Sequence, residues 1–92
     1  MPISVVFRPN NYTTETHREV LKRLNAIGQA TPAGRLHHQA LAHDDGSIEM
    51  VVDIWTSPEQ LQAFAAHLMP ILGELGVTPP EPEIYQTILP DD

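Results

Sequence analysis

The sequence predicts an α+β domain with the element order β-α-β-β-α-β. Three observations carry this. Short runs rich in β-branched and aromatic residues lie near both ends, Ile3 to Arg8 and Glu83 to Leu89. Two helical patterns follow the first run and precede the last one. Between the helices, two extended stretches flank an Asp45-Gly46 pair, which is a strong hairpin signal.

The first strand, Ile3 to Arg8, ends in the turn residues Pro9-Asn10-Asn11. A helix is expected from about Thr14 to Ile27. Thr16-His17-Arg18-Glu19 fits a capping box, and Thr13 or Thr14 are alternative caps. Val20, Leu21, Leu24 and Ile27 recur at helical spacing as its apolar stripe, and Gly28 stops it. After a loop from Gln29 to Gly34, Arg35 to His43 and Ser47 to Trp55 form the hairpin strands. Ser57-Pro58-Glu59-Gln60 is the clearest helix start: a Ser cap, Pro at the first position and Gln at the capping-box position. Leu61, Phe64, Ala65, Leu68, Leu72 and Leu75 supply its buried face. Pro70 interrupts the pattern, so a kink or break near His67 is expected. Thr78 to Pro82 is a stiff extended connector to the last strand, Glu83 to Leu89.

Short connections and right-handed crossovers turn this order into a ferredoxin-like fold, a four-stranded antiparallel sheet with both helices on one face. Ninety-two residues make a single domain, 1–92, with a core that is marginal alone. If the Asp45-Gly46 turn sets the register, Leu41 opposes Met50, Ala40 opposes Val51, His38 opposes Asp53 and Leu36 opposes Trp55. One face then carries Leu36, His38, Ala40, Ala42, Glu49, Val51, Asp53 and Trp55. The other carries His37, Gln39, Leu41, His43, Ile48, Met50, Val52 and Ile54. Neither face is mostly polar, as a solvated sheet face would be, and helices cover only one. A second copy of the sheet is the economical cover, which predicts a homodimer.

Composition excludes several classes. With a net charge of −7 and five scattered Lys and Arg residues, the chain is no match for a phosphate track or an anionic membrane. There is no cysteine, hence no disulfide framework and no thiolate site. The first residues lack the basic region of a signal peptide, and no apolar stretch is long enough to span a bilayer. A soluble cytoplasmic protein is expected.

Three stretches carry a resemblance: Gly34-Arg35-Leu36-His37-His38, Val51 through Trp55 to Leu61, and Leu68-Met69-Pro70 through Val77. On them the whole chain resembles the dimeric α/β-barrel proteins of the antibiotic-biosynthesis-monooxygenase type. That family includes cofactor-free oxygenases of aromatic polyketides, polyketide cyclases, haem-degrading enzymes and proteins with no assigned role. The resemblance implies a dimeric barrel and places Trp55 on the helix-side pocket. It does not choose a reaction.

The residues offer a sharper candidate. His38 and Asp53, directly opposed on the predicted ladder, come within hydrogen-bonding reach. A carboxylate there orients the imidazole and suits it to general-base work. The plainer interpretation is a buried histidine satisfied by an acid. Trp55, Leu36, Val51 and the small residue Ala40 outline a pocket for a planar apolar ligand, unless Trp55 simply fills the core. His17 lies on the stripe of the first helix, and His67 lies about 100° from the centre of the second helix's stripe, where it could border the pocket mouth. Gathering His17, His38, His67 and Asp53 around a metal would need four separate elements, and no local spacing supports it. Haem is disfavoured, because the Asn that haem-degrading relatives carry in the first strand has no counterpart from Ile3 to Arg8. No cofactor is expected. Two functions remain: a cofactor-independent monooxygenase-like or cyclase-like enzyme with a His38–Asp53 base, or a non-catalytic dimeric binding module.

Overall fold

The structure is a computed structural model and describes residues 2–88. Its elements are β1 (Ile3–Phe7), α1 (Thr14–Ala26), β2 (Arg35–Ala42), β3 (Ile48–Trp55), α2 (Pro58–Glu74) and β4 (Glu83–Gln86). All pairings are antiparallel and the strand order is β2-β3-β1-β4. Ile3, Val5, Ile48 and Trp55 from the sheet meet Val20 and Leu24 of α1 and Phe64, Ile71 and Leu72 of α2 in one core. Both helices therefore cover the same sheet face. The end of the expected last strand, Leu89, lies outside the described residues.

α1 is capped by Thr13, whose Oγ1 accepts from the N–H of Thr16. The Thr16 capping box expected from the sequence is displaced by three residues. The segment before α1 is tied to the hairpin turn. Thr14 N–H donates to the Gly46 carbonyl and Ile48 N–H to the Tyr12 carbonyl.

The hairpin turn differs from the two-residue form. Gly46 N–H donates to the His43 carbonyl and His43 N–H to the Ser47 carbonyl, with Gly46 at φ +88°. Asp45 Oδ1 accepts from both the N–H and the hydroxyl of Ser47. This three-residue loop slips the register by one, and an irregularity between Leu41 and Ala42, where Glu49 of β3 is left unpaired, slips it back. From Leu41↔Met50 to His37↔Ile54 the pairing is the expected one. Beyond the bulge Ile48 points into the core, not to the outer face.

α2 bears on a second expectation, the kink or break near His67, and shows no break. It starts at the predicted Ser57 cap but continues through Pro70 without a break to Glu74. Proline removes the hydrogen bond to the Ala66 carbonyl. Ala66 and Pro70 are both exposed, so water can serve that carbonyl, while Phe64, Ile71 and Leu72 hold the helix down on both sides. The start of α2 sits close against Gly34. A Cβ there would lie 2.6 Å from Gln60 Cγ, so only glycine fits this approach.

Candidate functional site

A cavity of about 80 Å³ lies between the sheet and the two helices. Its walls are mostly apolar and include Phe7, Val20, Leu24, Val51, Phe64 and Leu72. Leu21 and Met69, both partly exposed, also line it. Five polar side chains also line it: Tyr12, His17, Arg35, His38 and Asp53. Drug-sized ligands occupy pockets of roughly 300–1,000 Å³. A ligand larger than one ring would therefore extend beyond it.

Four of the five polar residues, Asp53, His38, His17 and Tyr12, form a connected set. His38 Nδ1 lies 2.6 Å from Asp53 Oδ1, with Asp53 only 4% exposed. A carboxylate accepts, so Nδ1 is the donating nitrogen, and in the neutral imidazole the lone pair is on Nε2. That Nε2 is buried and has no hydrogen-bond partner among the described residues. The His17 ring stacks on the His38 ring, with centroids 5.6 Å apart and planes 21° apart. His17 Nδ1 in turn lies 2.8 Å from the Tyr12 hydroxyl. Burial pushes the Tyr12 phenol up to about 12. It stays protonated at neutral pH, so it donates to His17 Nδ1 in the tautomer with its proton on Nε2 and accepts from Nδ1–H in the other. Burial, then the positive charge His38 gains on protonation, holds His17 below its usual pKa, with Arg35 adding to the effect and Asp53 opposing it. His17 is thus neutral near pH 7.

The sequence candidates divide. His17, His38, Asp53 and Val51 meet at the cavity. Ala40 packs against the core beside it. Leu36 does not line the cavity. A bulge between Arg35 and His37 pairs Arg35 with Trp55 and leaves Leu36 59% exposed. Trp55 is fully buried, 5.3 Å from the Phe64 ring, and Phe64 rather than Trp55 forms the cavity wall. His67 is exposed in a separate groove between the helices with Arg23, Ile27 and Glu74, so the four-residue metal set is not assembled.

Sequence reasoning missed Arg35 and Tyr12. Arg35 lies over the Phe64 ring, 5.8 Å from its centroid, and donates to the Ala30 carbonyl. Nothing in the local pattern announces the bulge that brings it there. Tyr12 did have a signal. With Thr13 as the cap, Tyr12 and His17 occupy the two positions that a hydrophobic staple joins. Here a hydrogen bond makes that link.

No protein-family model matches the sequence, and no curated protein matches it. Solved structures do match the fold. SnoaB, a cofactor-independent oxygenase from Streptomyces nogalater, is 18% identical, with a TM-score of 0.67 over 97% of this chain and 95% of its own. Rv0793 from Mycobacterium tuberculosis is 15% identical, with a TM-score of 0.65 over the whole of both chains. A Streptomyces coelicolor monooxygenase solved in complex with nanaomycin D is 20% identical, with a TM-score of 0.57 over 98% of this chain and 92% of its own. At these identities the likeness is one of fold, and the chain is built on the ferredoxin-like fold of the antibiotic-biosynthesis-monooxygenase type.

Proposed function

We propose that the chain is a cofactor-independent enzyme, monooxygenase-like or cyclase-like, in which His38 removes a proton from a small apolar phenol or ketone. The observation that carries this is His38, a residue of the cavity lining whose Nδ1 is held by Asp53 and whose buried Nε2 has no partner among the described residues. An unmet buried polar atom costs about 1–3 kcal/mol. A ligand hydroxyl would meet this one. Once Nε2 takes the proton, the Asp53 carboxylate stabilises the imidazolium. An electron-rich phenolate can then react with dioxygen, giving a quinone and water. A carbanion next to a ketone can instead attack a second carbonyl and close a ring. The fold shared with SnoaB, itself a cofactor-independent oxygenase, supports the reading.

The reading includes a second copy of the chain. Leu41 and Tyr85 are exposed on the sheet face that no helix covers, beside Met50, Val52 and Ile54.

Binding of 4-nitrophenol tests the base, since its colour reports ionisation. Wild type should bind it as the yellow phenolate at a pH where the free probe is colourless, and His38→Gln should bind it, if at all, as the neutral phenol. Equal ionisation by both proteins would remove His38 from the role.

A further inference from the structure

We infer that His17 is a second catalytic residue, whose Nε2–H donates to the ligand oxygen while Nε2 of His38 removes the proton. The inference rests on the base role proposed for His38 and supplies the acid half that a base alone lacks.

Two geometric facts support it. The Tyr12 hydroxyl, 2.8 Å from Nδ1, has one proton to give and no other acceptor among the described residues. Donation to Nδ1 selects the His17 tautomer with its proton on Nε2. The stack with His38 then puts a donor nitrogen and an acceptor nitrogen on adjacent rings of two residues that line one cavity. Arg35 lines the same cavity and pairs with no carboxylate among the described residues, so it adds positive charge where an oxyanion would form. The low pKa of His17 keeps it from competing for the substrate proton near neutrality.

For a ketone the step balances without an oxidant. The α-C–H bond breaks and its proton goes to His38 Nε2. The electron pair forms a C=C bond as the carbonyl π pair moves onto oxygen, and that oxygen accepts from His17 Nε2–H. Return of a proton to carbon restores the ketone, so the net observable is exchange of the α-hydrogen with solvent. General acid–base partners are worth roughly 10²–10⁴-fold each.

The test uses the α-hydrogens of 2-indanone in D2O, followed by proton NMR, together with the His17 tautomer from a two-bond 1H–15N correlation. Wild type should exchange them with His17 protonated at Nε2. His17→Phe should lower kcat by about a hundredfold with KM changed only a few-fold. His17→Gln, whose amide still donates, should recover most of that loss, and Tyr12→Phe should mix the tautomers and fall in between. An unchanged kcat in His17→Phe, or a wild-type His17 protonated at Nδ1, overturns the inference. His38→Gln separates the two proposals. Exchange lost there but kept in His17→Phe refutes the His17 role alone. Exchange surviving in His38→Gln refutes the base, and no exchange by wild type contradicts both.

Discussion

His38 and Asp53 face each other across the β2–β3 ladder, Nδ1 to Oδ1 at 2.6 Å, because two departures from ideal pairing cancel. The three-residue turn moves the strands one residue out of step and the bulge at Glu49 moves them back. Without the bulge, His38 would share no face with Asp53, since a one-residue slip inverts a strand's side chains.

The chain should lose stability on acidification in a way that His17 controls. Its folded pKa lies below the ordinary 6.5. The unfolded chain therefore takes up this proton at a higher pH than the folded chain does. The full contribution of neutral His17 is present above 6.5, declines as the pH falls from there to the folded value, and is constant below it. Urea midpoints measured against pH should show this slope in wild type and a shallower one in His17→Gln. Parallel profiles would mean His17 titrates alike in both states.

Trp55 should tolerate phenylalanine and not alanine. Its ring is fully buried, but its Nε1 has no partner among the described residues. Trp55→Phe removes an unmet donor worth about 1–3 kcal/mol, which offsets much of the lost packing, so the net change should be within about 1 kcal/mol. Trp55→Ala should cost about 3–5 kcal/mol. Chemical denaturation of both variants gives the comparison. A Trp55→Phe loss as large as that of Trp55→Ala would show that Nε1 is bonded.

Pro70→Ala should stabilise. Alanine returns an N–H to the middle of α2 and is about 3 kcal/mol better than proline in a helix interior. Loss of proline's restraint on the unfolded chain takes back about 0.4–1 kcal/mol, leaving a gain of about 2 kcal/mol. A lower melting temperature would mean the ring makes contacts that outweigh the missing hydrogen bond.

Val52→Asp should yield monomers if the uncovered sheet face meets a second copy. An unpaired charge would then be buried at a cost of several kcal/mol. Sedimentation should show a dimer for wild type and a monomer for the variant at micromolar concentration. A monomeric wild type would remove the dimer.

The sequence made the element order and the Ser57 cap legible, because each rests on local turn and capping chemistry, whereas the expected His38–Asp53 opposition holds only because the unforeseen turn and bulge cancel. Leu36, Ile48 and Arg35 were misjudged or missed for one reason: bulges at both ends of the hairpin change which face a residue takes, and no residue type there marks a bulge. Pro70 misled because the cost of a helix proline depends on whether its orphaned carbonyl faces water, which is a tertiary fact. His67 stood at a plausible helical angle, but that angle faces the outer groove between the helices.

The most direct test is the protonation pattern of the His38 ring, read from a two-bond 1H–15N correlation spectrum of wild type and Asp53→Asn above the histidine titration range. The expected wild-type pattern is a proton on Nδ1 and a bare Nε2, with Asp53→Asn shifting the proton toward Nε2, because an amide can donate to Nδ1 where a carboxylate cannot. Asp53→Asn should lose phenolate binding in step. A wild-type His38 that carries its proton on Nε2 would have no lone pair there to take a proton, and the general-base role would be contradicted.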